Sequence, residues 1–218
     1  MARTAGSDGG RTQTAILEAA VDLFARHGYE AVTTRQIAAR VGVQAAALYR
    51  YFPTKEHILH RLMIGHMEDL VGSWATTRPA TADPVAQLSA FVANHIRFHV
   101  ERRHSTHVSN LELRSLSPAR LTAVLRLRNG YEKELRQILR DGSEAGLFAV
   151  DDVGLTAMAI IQMLTGVIVW FRPDERLSVE QVVETYHGMT MRLVGVSHDQ
   201  DRSAFNPTPY RPAMQREA

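Results

Sequence analysis

The chain of 218 residues contains no cysteine, which excludes disulfides, thiolate catalysis and cysteine-based zinc sites. No apolar stretch follows the first arginine of MARTAGSDGG, so no secretory leader is expected and a cytoplasmic protein follows. No segment alternates apolar and polar residues as a strand would, and no internal repeat is present. Phosphate-cradling glycine loops, nucleophile elbows and paired carboxylates in apolar surroundings are also missing. Ser105 and Ser109 beside His107 read as ordinary polar helix surface, so no catalytic residue, no enzyme and no cofactor is expected. Lysine is nearly absent: of 25 basic residues only Lys55 and Lys133 are lysines.

What is present is helix. Hydrophobic residues make up 45% of the chain and charged residues 22%, enough apolar material for a real core at this length. Apolar residues recur at helical spacing throughout, and an all-α fold is expected. The net charge of +2 is too small to imply a nucleic-acid partner, but its distribution is uneven. Residues 1–61 hold eight Arg/Lys against five Asp/Glu; residues 62–218 hold seventeen against eighteen. The positive excess lies where phosphate contacts would need it.

That segment holds the most informative stretch, TTRQIAARVGVQAAALYRYFPTKEHI, residues 33–58. Thr33 and Gln36 match a capping box, and Ile37, Ala38 and Val41 give the helix behind it one apolar face. Gly42 is a stop of the left-handed type, after which Val43 and Ala45 to Leu48 open a second helix, at about 44–50. Pro53 ends that helix, and Thr54 caps the next. Two short helices about a glycine turn make a helix-turn-helix, whose second helix enters the major groove. A helical hairpin inside an ordinary bundle has the same spacing. Arg35, Gln44, Arg50 and Lys55, interleaved with Tyr49 and Tyr51, favour the DNA reading, since they can bond phosphates or base edges.

Thr33, Thr34, Ile37, Ala38, Gly42, Val43, Leu48, Tyr49, Tyr51, Phe52, Lys55, Glu56 and Ile58 also carry a resemblance. Their order is similar to that of the tetracycline-repressor-like (TetR) family of bacterial transcriptional regulators. The resemblance implies a helix-turn-helix domain over 11–58 and a ligand-binding and dimerisation domain over 59–196. It further implies that Thr34, Tyr49, Tyr51 and Lys55 bond phosphates, with Thr33, Arg50 and Thr54 beside them, while Arg35 and Gln44 read bases. Ala45 and Ala47 depart from the family, where cationic or hydroxyl residues are common. They offer only apolar contact, for instance to a thymine methyl.

Along the chain, residues 1–10 are expected to be a disordered arm and 197–218, with Pro207, Pro209 and Pro212, a flexible tail. A first helix is expected from Thr12 to Gly28, and another from Thr54 to about Ala75, which in the family connects the two domains. Asp83-Pro84 opens a helix to about Arg102, a shorter one follows near 105–115, and Ser117-Pro118 opens a long one to about Glu144. Ser178 and Gln181 cap the last.

Residues 153–171 run for nineteen positions without a charge, the length of a membrane span. Gly154, Thr156, Gln162, Thr165 and Gly166 are spread around that helix and argue against insertion, so no membrane association is expected. Family resemblance instead gives a homodimer through the last two helices. His95 and His99, four apart, and His104 and His107, three apart, suggest zinc by spacing alone. No carboxylate completes the pattern, so no metal is expected.

Residues 110–148 and 170–186 resemble the TetR-type regulators of fatty-acid and steroid-ring catabolism, on Arg114 to Pro118, Arg128, Tyr131-Glu132, Gly142, Gly146 with Phe148, and Trp170 to Pro173. The resemblance implies a small hydrophobic effector, with an acyl-CoA thioester favoured and Arg114 or Arg128 on its phosphates. Expected pocket walls are Phe91, His95, Phe98, Leu111, Leu121, Leu125, Met158, Gln162 and Trp170, all of which periodicity equally permits as plain core. The competing function is a drug-efflux regulator released by lipophilic cations, for which Glu112 is the one evident carboxylate. A purely architectural DNA-binding protein would leave the long apolar remainder without a purpose.

Overall fold

The computed structural model describes residues 5–173 and 175–196, with the backbone alone over residues 5–8. Among these residues all regular structure is helical. The elements are α1 (Ala5–His27), α2 (Thr34–Val41), α3 (Ala45–Leu48), α4 (Lys55–Thr77), α5 (Pro84–Glu101) and α6 (Arg103–Leu111). After a 3₁₀ turn at Leu113–Ser115 come α7 (Pro118–Glu144), α8 (Val153–Thr165), α9 (Val167–Trp170) and α10 (Val179–Leu193).

These helices form two compact units. The first joins residues 5–67 to His104–Leu125. Its core is Ile16, Ala20 and Phe24 of α1, Ile37 of α2, Leu48 of α3 and Ile58, Leu59 and Met63 of α4. Tyr29, Val32, Ala38, Phe52, Val108, Leu116 and Val124 complete it, so the segment after α5 supplies part of the core beneath the helix-turn-helix. Burying each such side chain is worth about 1.5–3 kcal/mol. Phe24 meets Tyr29 edge-on at 5.2 Å, closing the end of α1.

The second unit joins Glu68–Arg103 to residues 126–196. Its centre is α5, buried along nearly its whole length, with α8, α9 and α10 packed on it. Asp83 caps α5 through Val85 N–H at 3.0 Å, and Pro84 needs no such bond because it lacks the N–H. Gly142 of α7 is fixed by packing: a Cβ there would lie 2.0 Å from the ring of Phe148.

Several boundaries differ from expectation. Residues 5–10 continue α1 rather than forming an arm; residues 1–4 and the expected tail at 197–218 lie outside the described residues. Gly9 and Gly10 each cost a helix about 1 kcal/mol, so those turns are its weakest. The apolar stretch at 153–170, long and apolar enough by composition to cross a membrane, is two helices rather than one. They part at Gly166, where a Cβ would stand 3.2 Å from the carbonyl of Gln162. One flank packs on α5, and Leu155, Met158, Val169 and Trp170 remain exposed.

Candidate nucleic-acid interface and effector site

The helix-turn-helix is built by local chemistry. Thr33 Oγ1 accepts from Gln36 N–H and the Gln36 side chain accepts from Thr33 N–H at 2.7 Å, the full capping box. Gly42 takes φ +74°, and its turn returns Val43 N–H to Ala38 O at 3.0 Å. The second helix is shorter than its pattern suggests. Only 45–48 are α-helical, and Arg50 N–H and Tyr51 N–H bond three residues back, so the chain tightens before Pro53. Thr54 Oγ1 accepts from His57 N–H at 3.1 Å and caps α4.

Arg35, Gln44, Tyr49 and Arg50 project into solvent together with Thr33 and Thr54; Thr34, Ala45 and Tyr51 are half-buried. The hydroxyls of Thr34 and Tyr49 bond each other at 2.9 Å and tie α2 to the end of α3.

Lys55 has partners that the sequence did not suggest. Its ammonium donates to the carbonyls of Tyr29 at 2.9 Å, Val32 at 3.0 Å and Glu30 at 3.4 Å, and lies 4.1 Å from the Tyr29 ring centroid. A lysine has three N–H donors, and all three point at the α1–α2 loop. Glu112 braces the same loop: one carboxylate oxygen accepts from Tyr29 N–H at 3.1 Å and the other from Ser115 Oγ at 3.3 Å. Glu56 accepts from Ser117 N–H at 2.7 Å, a bond that holds its carboxyl below the usual range, and Arg120 reaches His57 at 2.7 Å. Sequence reasoning missed these braces. They join residues 23 to 83 positions apart, where no periodic pattern gives a signal.

The expected effector walls are divided between the two units. Phe91, His95 and Phe98 sit together in the buried face of α5, in the second unit. Leu111, Leu121 and Leu125 belong to the first unit, where Leu121 packs against its core and Leu111 is 59% exposed. Met158, Gln162 and Trp170 are in the second unit but exposed, because α8 and α9 turn that flank outward. Arg114 is exposed in the first unit; Arg128 is half-buried in the second, and burial pushes its pKa down.

A cluster of polar groups lies within the mainly apolar centre of the second unit. His95 Nδ1 meets the Tyr131 hydroxyl at 3.2 Å and Nε2 meets Thr165 Oγ1 at 2.9 Å. His99 Nδ1 bonds His95 O at 2.7 Å, and the two imidazoles stack at 4.0 Å. Burial lowers the His99 pKa to about 4, so the ring is neutral at pH 7, and burial raises that of Tyr131. Phe91 stacks on Tyr131 at 5.0 Å and meets Trp74 edge-on at 5.2 Å. The remaining expected metal candidates, His104 and His107, are exposed, and His104 lies 3.4 Å from Asp22.

A capped helix, a glycine turn and a short helix presenting Arg35, Gln44, Tyr49 and Arg50 on a braced core define a helix-turn-helix DNA-binding regulator. Comparison with known proteins narrows this. Residues 16–62 match the bacterial regulatory proteins of the tetR family, and residues 81–194 match the tetracyclin repressor-like C-terminal domain. The chain belongs to the TetR family and is a transcriptional repressor of that type.

Among its relatives is the HTH-type transcriptional repressor KstR2 of Rhodococcus jostii (strain RHA1), 26% identical over 90% of this chain and 96% of that protein. The solved TetR family transcriptional regulator PfmR from Thermus thermophilus is 36% identical, with TM-score 0.75 over 81% of this chain and 97% of its own. AibR, solved in complex with isovaleryl coenzyme A and operator DNA, is 26% identical, with TM-score 0.75 over 85% of this chain and all of its own.

Proposed function

We propose that the protein acts in the cytoplasm as a homodimer on a palindromic operator, and that a hydrophobic effector, best matched by an acyl-CoA thioester of lipid or steroid catabolism, releases it. The observation that carries this reading is the near full-length similarity to AibR, whose structure holds an acyl-CoA and operator DNA. Within this chain, the aromatic centre around Phe91 and Phe98 suits an acyl group, and Arg128 supplies a cation in the same unit. The rival reading, a regulator released by lipophilic cations, loses support because both oxygens of Glu112 already accept hydrogen bonds.

On DNA, Arg35 and Gln44 read base edges, and Ala45 offers apolar contact. Thr33, Thr34, Tyr49, Arg50, Tyr51 and Thr54 hold phosphates, while Lys55 shapes the loop behind them. Residues 11–58 serve as the reader and 59–196 as the effector and dimerisation part, with His104–Leu125 packed into the reader's core. The exposed apolar face of α8, α9 and α10 meets its copy in the partner subunit. An effector shifts the equilibrium only by binding one geometry better than the DNA-competent one. α4, shared by the two units, is the element whose movement would change the spacing of the readers from the ~34–36 Å that one turn of DNA sets.

An acyl-CoA should raise the melting temperature and dissociate the operator complex, whereas the free fatty acid of equal chain length should do so poorly. Arg128→Ala or Arg114→Ala should weaken this response without weakening DNA binding. Acyl-CoAs that neither shift melting nor release the operator at high micromolar concentration would overturn the effector class.

A further inference from the structure

The loop between α1 and α2 is gripped at one residue from two directions. Gly28 takes φ +79° and returns its N–H to Phe24 O at 2.9 Å, which closes α1. The next amide is that of Tyr29, and Glu112 Oε1 accepts from it at 3.1 Å. The carbonyl of the same residue accepts from Lys55 Nζ at 2.9 Å. Lys55 opens α4, within the helix-turn-helix segment, whereas Glu112 follows α6 and lies 83 positions from Tyr29. The gripped loop leads straight into Thr33, which caps α2, and on to Thr34 and Arg35.

Glu112 is itself firmly placed. Its N–H donates to Val108 O at 3.1 Å, and its carbonyl accepts from Ser115 N–H at 3.0 Å. Val108 and Leu116, on either side of it, are buried in the core of the first unit. A bond of the opposite sense ties down the same segment, since Glu56 of α4 accepts from Ser117 N–H at 2.7 Å. A carboxylate cannot help operator binding by touching the DNA, because the phosphates repel it. Whatever Glu112 contributes to affinity must therefore pass through Tyr29. Binding groups need to be held within about 0.5 Å of the productive geometry. Glu112 and Lys55 supply the fixed points of the loop that leads to those groups.

We propose that Glu112 is a positioning residue for the operator reader. Through Tyr29 N–H it sets the loop that places Thr33, Thr34 and Arg35, so operator affinity depends on His104–Leu125 as well as on the helix-turn-helix. This rests on the reading of residues 33–54 as the DNA face and is independent of the effector.

The test measures operator affinity of the full chain, without ligand and well below its melting temperature. Glu112→Gln removes the charge but keeps an oxygen able to accept from Tyr29 N–H; Glu112→Ala removes both. The alanine variant should bind about tenfold more weakly, a difference of about 1.4 kcal/mol. The glutamine variant should bind close to wild type, and the salt slope should be unchanged in both, since neither loses a phosphate contact. Amide exchange at Tyr29 should quicken in the alanine variant and not in the glutamine one. Combined with Lys55→Met, Glu112→Ala should cost less than the product of the two single losses, because both side chains hold one residue; combined with Arg50→Ala, the losses should multiply. If the alanine variant does not fold, Glu112→Asp replaces it: shorter by one methylene, it should bind as weakly despite its charge. Wild-type affinity in the alanine or aspartate variant, equal losses in alanine and glutamine variants, or losses that multiply with Lys55→Met overturn the proposal. Should Arg35→Ala weaken operator binding while Glu112→Ala does not, only this proposal fails. Should Arg35→Ala and Arg50→Ala both bind as wild type, the reading of the DNA face fails, and this proposal with it.

Discussion

The two units each have an apolar core but differ in how many polar groups they bury and how much apolar surface they expose. In the first, the core is apolar apart from His66, Thr106 and Ser109, and the other polar side chains named above either present themselves to solvent, as Arg35, Gln44 and Arg50 do, or brace loops, as Lys55, Glu112 and Glu56 do. In the second, polar groups lie within, including Asn94, His95, His99, His187 and Thr190, while Leu155, Met158, Val169, Trp170, Met189 and Leu193 face outward. Stability alone would favour the first arrangement, since buried polar groups give a modest net gain even when satisfied. The second makes sense if its interior receives a ligand and its exterior receives a partner.

The contrast can be broken most severely at the outward apolar face. Val169, 71% exposed, should tolerate a charge in an isolated subunit but not in the proposed dimer. Val169→Glu is expected to sediment as a monomer or aggregate and to lose operator affinity by about 100-fold or more, because one half-site replaces two. A wild-type chain that is itself monomeric at micromolar concentration would show that this face has another use.

The buried polar interior predicts an acid sensitivity. His99 has a folded-state pKa of about 4, against about 6.5 when unfolded. The unfolded chain therefore binds the proton first, and stability contributed by the neutral ring is present above pH 6.5 and lost as the pH falls towards 4. Over that window the loss is about 3 kcal/mol, at about 1.4 kcal/mol per pKa unit. His99→Gln should flatten this part of the stability profile, as followed by urea denaturation between pH 7 and 4. An unchanged slope would mean that His99 does not govern it.

The smallest effects sharpen the first unit, where exposed and bracing cations should behave differently on DNA. Arg50→Ala should lower the salt slope of binding by about one unit, as loss of one phosphate contact does. Arg35→Ala should cost about 1–3 kcal/mol on the operator and relax specificity there. Lys55→Met should reduce melting temperature and affinity while leaving the salt slope unchanged. A slope reduced by one for Lys55→Met would return that lysine to the phosphates.

What was legible in the sequence was what neighbours along the chain decide. The Thr33–Gln36 and Ser178–Gln181 capping boxes and the positive-φ stops at Gly28, Gly42 and Gly146 depend on residues within one turn of each other. They stand where the pattern placed them. Periodicity also found the apolar faces, but it cannot distinguish a face turned inward from one turned outward. Phe91 and Met158 carry the same signal, yet one is buried and the other exposed. The Lys55 and Glu112 braces were illegible for a different reason. A cation in a DNA-binding motif matches a phosphate contact by type, and only the folded loop reveals three carbonyls within its reach.

That brace, in a chain so poor in lysine, makes a built-in chemical reporter. Acylating reagents attack the unprotonated, accessible amine, and only two lysine side chains offer one. Lys133 is exposed and should be modified at the rate of an unhindered amine, serving as an internal standard. Lys55, held by the carbonyls of residues 29, 30 and 32, should lag behind it while the loop is closed and catch up when the loop opens. The ratio of the two labels, read by mass spectrometry of one peptide digest, would report the integrity of the reader in any state of the protein, with no fluorophore or tag.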